Sequence, residues 1–270
     1  MLDLFDPEYM RRGLAAGLLL AVPLGLLGTW VVLRGLAFYS HAVGVATFPG
    51  VVVGLGVPAI GPFAGALAAA GAFGGSVSLL ERDERVRGGA VTGLALSTMM
   101  ALGAVLLVSA FDVAVPVETV LFGSLLAIDG VDIARAAVVA AVVVVALVRL
   151  GARVPAETFD PSWAGPAGAR AAVVDAALLG LIAVCVVTAL PVLGSLLVSG
   201  LLVVPAATAR LLSRGIPAML VWSVVLAMAA LVGGLALARE LDAPPGGAAA
   251  ALSGAGFALA FAIDRIRSRA

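Results

Sequence analysis

Residues 192–212 read VLGSLLVSGLLVVPAATARLL, with no charge from Val192 to Ala209 and Arg210 close to the end. About 20 apolar residues in a helix cross the roughly 30 Å of bilayer hydrocarbon, and this run has that length. Ser195, Ser199 and Pro205 lie inside it. A mid-span proline frees a backbone carbonyl that nearby serines can satisfy. The run therefore reads either as a kinked structural helix or as a helix beside a pathway.

Similar runs fill the chain. With 63% hydrophobic and 12% charged residues and a mean hydropathy of +1.19, no water-soluble fold could hide so much apolar surface. Composition predicts an all-α polytopic membrane protein in the cell (plasma or inner) membrane. The runs are long and continuous rather than alternating, which favours helices over barrel strands. The 33 glycines suit helices that pack through small faces. Spans are predicted at about 13–33, 41–57, 59–80, 88–110, 131–149, 172–190, 192–212, 216–238 and 247–264. That gives eight to nine transmembrane helices in one domain covering 1–270. The first run follows an acidic as well as basic start and lacks a small-residue cleavage site, so it reads as a retained span.

Arginine content sorts the connections. Arg34, then Arg82, Arg85 and Arg87, then Arg149, Arg153 and Arg170, then Arg210 and Arg214, and finally Arg265, Arg267 and Arg269 alternate with connections poor in basic residues. The positive-inside rule places the arginine-rich ones in the cytoplasm. Nine spans then put the first residues outside, and Arg11 and Arg12 oppose that placement.

Several functions are excluded. Net charge is zero and no basic stripe marks a nucleic-acid surface. All 16 basic residues are arginine, so a Walker A loop, which needs lysine after its glycines, is absent, and any ATP must be bound by another chain. Cys185, alone in an apolar run, reads as packing. One histidine, one cysteine and no paired intramembrane carboxylates leave no catalytic constellation, so the chain is not expected to be an enzyme.

The histidine, His41, sits in RGLAFYSHAVGVATFPGVVVG, residues 34–54. An imidazole inside a membrane span is costly and points to function, although one near an interface can simply bond to a carbonyl. Three connections stand out. ERDERVRGGA (81–90) reads as a charged cytoplasmic turn. FDVAVPVETVLFGSLLAIDGVD (111–132) is an acidic outer loop containing a helix that starts after Pro116, with Glu118 in its first turn, and is too short to cross. ARVPAETFDPSWAGPAGARA (152–171) is a long cytoplasmic loop suited to a surface helix that a soluble partner could grip.

Five segments together resemble the ABC-3 permeases, subunits of ATP-binding-cassette importers for zinc, manganese and iron. They are GLLGTWVVLRGLAFYSHAVGVATFPGVVVGL (26–56), VLFGSLLAIDGVDI (120–133), FDPSWAGPAG (159–168), LLVSGLLVVPAATARLLSR (196–214) and DAPPGG (242–247). The resemblance implies a type II importer permease. It would work as two permease copies with a cytoplasmic ATPase and an extracytoplasmic metal-binding protein, with a divalent metal as cargo and no cofactor of its own. It makes 117–128 a short gating helix at the outer mouth, with Glu118, Phe122, Gly123 and Ser124 as gate residues. It makes Phe159, Asp160, Pro161, Trp163, Ala164 and Gly168 the coupling helix that contacts the ATPase. The acidic residues Asp112, Glu118, Asp129 and Asp132 would draw cations to the mouth.

The family pattern also pairs an aspartate or histidine with a histidine four residues on, ahead of the Pro-Gly. The first position falls on His41 and the second on Val45. Tyr39, Ser40 and Thr47 remain as the other donors nearby, a weak cage for a transition metal. A weaker conduit site, a chelated or different cargo, and pairing with a second permease that keeps both ligands all accommodate Val45. A secondary transporter driven by an ion gradient, and a membrane anchor for partner subunits, are the alternatives of other classes.

Overall fold

The computed structural model describes residues 8–80, 89–109, 123, 128–151, 153–159, 168–241 and 243–267. The helices run α1 (Glu8–Leu33), α2 (Ala37–Ala46), α3 (Phe48–Gly56), α4 (Pro62–Leu80), α5 (Gly89–Ser109), α6 (Gly130–Leu150), α7 (Arg153–Phe159), α8 (Gly168–Leu212), α9 (Ile216–Glu240) and α10 (Pro245–Arg267). Among the described residues, eight helical segments are long and apolar enough to cross a membrane. The architecture is all-α, as composition required.

Three predicted spans differ in detail. The span expected at 41–57 starts at Ala37 and is divided into α2 and α3 at Thr47. Pro49 explains the division, because it cannot donate the N–H that a continuous helix needs there. The Thr47 hydroxyl donates to the Gly44 carbonyl at 2.7 Å and caps the join. The spans expected at 172–190 and 192–212 form one 45-residue helical run, α8, interrupted at Gly194 with φ 73° and ψ 159°. A straight helix of that length would measure nearly 70 Å, about twice the hydrocarbon thickness. The break falls at Gly194 rather than Pro191 because that backbone conformation is essentially open only to glycine. Ser199 donates to the Ser195 carbonyl at 2.9 Å, one turn back.

The chain divides into two compact units, one of residues 1–36, 117–141 and 188–270, the other of residues 37–116 and 142–187. In the first, α1 turns a buried stripe of Leu20, Leu24, Leu27 and Val31 inward. Its small residues set the spacing: a Cβ on Gly25 would fall 2.7 Å from the Val224 Cα, and Gly28 lies directly against the Leu202 carbonyl. Gly17 meets Leu231, Gly25 meets Val224, and Thr29 bonds to Ser223 at 3.0 Å, so α1 and α9 run antiparallel. The start of α1 thus shares an end with the close of α9, where Arg239 and Glu240 lie, while Arg34 shares the other end with Arg214. Arginines therefore lie at both ends of this pair, Arg11, Arg12 and Arg239 at one and Arg34 and Arg214 at the other.

In the second unit, α3 and α4 form a close antiparallel pair in which Gly50 and Gly65 each meet the other's carbonyl, and Gly54 meets Gly61. Such contacts are how membrane helices gain dispersion energy when lipid offers no hydrophobic contrast. Phe48 lies over Gly103 on α5, and Tyr39 stacks on Phe73 of α4 with ring centroids 5.7 Å apart.

Candidate functional site

The five residues predicted around the ion position occupy α2 and its join to α3. His41 is exposed and Val45 half-buried. Four residues apart, they lie on one helix face, so a second imidazole at 45 would stand beside the first. Tyr39, Ser40 and Thr47 are instead buried, at 4%, 2% and 3% exposure. Their chemistry is turned inward. The Ser40 hydroxyl donates to the Ala37 carbonyl at 2.9 Å, the Thr47 hydroxyl is used at the α2–α3 join, and the Tyr39 ring packs on Phe73. The structure therefore does not gather these side chains round His41. Among the described residues, no group of three or more His, Cys, Asp or Glu side chains could hold a metal ion. His41 lies about 6 Å along the axis from the first residue of α2, toward the end that follows Arg34.

Of the outer-mouth residues, Glu118, Phe122 and Ser124 lie outside the described residues, and Gly123 is described. Gly123 has φ 73°, and a Cβ there would fall 2.7 Å from both the Gly194 nitrogen and the Val192 carbonyl oxygen. Two glycines in left-handed backbone thus meet at the break in α8. Sequence reading missed Gly194; its signal was a glycine three residues after Pro191 inside an unbroken apolar run.

Near the start of α6, Asp129 and Asp132 form a reciprocal cap. The Asp132 N–H donates to Asp129 Oδ1 at 2.9 Å and the Asp129 N–H to Asp132 Oδ2 at 3.4 Å. Arg135 pairs with Asp132 at 3.4 Å. The Asp132 N–H, foremost, holds the Asp129 carboxyl below its ordinary range. These two acids are engaged in starting a helix, which accounts for them without a ligand.

On the arginine-rich side, Phe159 closes the seven-residue α7 and is 63% exposed, and Gly168 opens α8. Asp160, Pro161, Trp163 and Ala164 lie outside the described residues. Cys185 is buried, in keeping with a packing role.

Residues 6–264 match the model of the ABC 3 transport family. This chain belongs to that family.

Among the relatives of this ABC 3 transport protein, it is 27% identical to the manganese transport system membrane protein MntC of Halalkalibacterium halodurans, over 96% of this chain and 88% of the relative. It is 28% identical to the chelated iron transport system membrane protein YfeD of Yersinia pestis, over 90% of this chain and 81% of the relative. The solved structure of PsaBC from Streptococcus pneumoniae in complex with Fab matches with a TM-score of 0.84 at 22% identity, covering 97% of this chain and 95% of that one. That likeness establishes the permease fold. With eight helical segments able to cross a membrane, this ABC 3 protein is a multi-pass transport protein of the inner membrane.

Proposed function

We propose that this chain is the membrane-spanning permease subunit of an ATP-binding-cassette importer for a divalent transition metal, manganese or iron foremost, free or chelated. The observation that carries the reading is the family match over residues 6–264, with relatives named for manganese and chelated iron along most of their length. The whole chain acts as a single permease domain. ATP is hydrolysed on a separate cytoplasmic subunit, since a chain without lysine cannot build a phosphate loop of the Walker type. A metal-binding protein delivers the cargo from outside, and a second permease copy, identical or related, completes the path.

In this reading His41 is the metal-facing residue of a deliberately weak transit site. A conduit must release what it binds, and selectivity rests with the delivering protein. The inward hydroxyls of Ser40 and Thr47 support assigning the role to His41 alone on α2. Glu118, Phe122, Gly123 and Ser124 serve the outer gate, and Phe159, Asp160, Pro161, Trp163, Ala164 and Gly168 contact the ATPase.

The test is uptake of radioactive manganese and iron by cells lacking the chain and any redundant importer, together with co-purification of the tagged chain from membranes. Loss of uptake and recovery of an ATPase are expected. Unchanged uptake of both metals overturns the cargo, and transport by the chain alone in liposomes, without ATP, overturns the importer class.

A further inference from the structure

The last two turns of α10 combine exposed apolar side chains with arginines. Gly246, Ala248, Ala249, Ser253 and Ala260 are buried, whereas every residue from Phe261 to Arg267 is exposed, Ile266 by 70% and Phe261 by 44%. A soluble helix end of this kind would be polar. This one alternates apolar side chains, Phe261, Ile263 and Ile266, with two arginines against one carboxylate, Asp264.

Its position follows from length. α10 begins at Pro245, at the end shared by the acidic turn after α9, and its 23 residues extend about 34 Å. With a hydrocarbon core of roughly 30 Å, Arg265 and Arg267 reach the opposite headgroup layer, which the positive-inside rule assigns to the cytoplasm.

The side chains there are ordered into a ladder. Phe257 and Phe261 stack with centroids 6.2 Å apart, and the Arg265 guanidinium lies 5.4 Å from the Phe261 ring centre. An arginine at a span end ordinarily reaches outward to water. Arg265 instead folds back along the helix, over an aromatic ring at the boundary between acyl chains and headgroups. A planar guanidinium held at that depth presents paired N–H donors in the geometry that suits a phosphate.

We propose that the 257–267 end of α10 is a binding surface for an anionic phospholipid of the cytoplasmic leaflet. Arg265 and Arg267 engage the phosphate, Phe261 positions Arg265, and Phe261 and Ile263 lie against the acyl chains. Charge complementarity and depth select lipid over a soluble partner, because Phe261 and Ile263 sit where acyl chains are.

The test is native mass spectrometry and thermal unfolding of the full chain purified with phosphatidylglycerol or phosphatidylcholine, comparing wild type with R265Q/R267Q and with F261L. Wild type is expected to retain phosphatidylglycerol through delipidation and to be stabilised by it in preference to phosphatidylcholine. Affinity should fall about fivefold for each guanidinium removed. F261L keeps both charges and an apolar side chain of comparable bulk, and is expected to lose part of the preference without loss of folding. Equal retention of the two lipids by wild type overturns the proposal. So does unchanged lipid retention in R265Q/R267Q, including the case where that variant loses only its ATPase or second permease copy.

Discussion

Thr29 and Ser223, 194 positions apart in sequence, share a hydrogen bond of 3.0 Å between hydroxyls that are both fully buried. The bond ties α1 to α9 beside the close contact of Gly25 with Val224. Thr29 also donates toward the Gly25 carbonyl at 3.4 Å, so its hydroxyl has an alternative partner within its own helix. Interhelical hydrogen bonds in membranes average about 0.6 kcal/mol. A double-mutant cycle with Thr29→Val and Ser223→Ala should return a coupling of about that size. Unfolding of the purified protein in mixed micelles measures it.

The contact of Gly50 with Gly65 is less forgiving. Each faces the other's backbone carbonyl, so an added methyl at either site has no flexible side chain to displace. Gly50→Ala or Gly65→Ala is expected to wedge α3 from α4 and cost about 1–3 kcal/mol. The unfolding temperature of each variant, set beside Gly71→Ala, where open space surrounds the site, gives the comparison.

His41 and Val45 share a face of α2, and only the first can ligate. If His41 serves the transit of metal, His41→Ala lowers manganese uptake while leaving the fold intact. Val45→His creates a pair one turn apart and should raise metal retention by the purified chain while slowing turnover, because a tighter site releases cargo less readily. Uptake assays and metal analysis of the purified protein read both effects. Identical retention in wild type, His41→Ala and Val45→His removes His41 from the path.

For the cap on α6, the sign of the pH effect follows from the lowered pKa of Asp129. The folded protein favours the ionised carboxylate more than the unfolded chain does. Its contribution is complete above the ordinary aspartate range and is lost as pH falls through the lowered folded value. Asp129→Asn keeps an acceptor at every pH and should flatten this dependence, whereas Asp129→Ala removes the cap throughout. Limited proteolysis near residue 130 across an acid titration distinguishes the three proteins.

Charge placed in the proposed ATPase contact should separate hydrolysis from transport. Trp163→Glu or Gly168→Glu is expected to leave a folded, membrane-inserted chain whose partner ATPase still hydrolyses ATP without moving metal. Retained transport per ATP in both variants would exclude the loop from coupling.

The membrane-spanning class was legible because hydropathy acts locally. A run such as 216–238 is apolar whatever surrounds it, and α9 lies within two residues of that expectation. Family membership was legible in five spaced segments for the same reason, since each is a short contiguous pattern. The missing ligand at Val45 needed no coordinates.

The candidate site was less legible. Ser40 and Thr47 look like ligands when written beside His41, but a helix turns successive residues by about 100°, and their hydroxyls satisfy carbonyls of their own backbone. That Asp129 and Asp132 also form a helix cap was not legible from their place in an acidic loop.

From its sequence alone, then, this protein is determined to be a helical membrane permease with a histidine at one position of an expected pair. Tertiary structure decided that the long helix breaks at Gly194, where Gly123 meets it, and that α1 runs antiparallel to α9, with Gly25 against Val224. The physical reason is the same in both cases. Hydrophobic transfer is a property of each segment, whereas backbone close approach and helix direction are properties of pairs of segments distant in the chain.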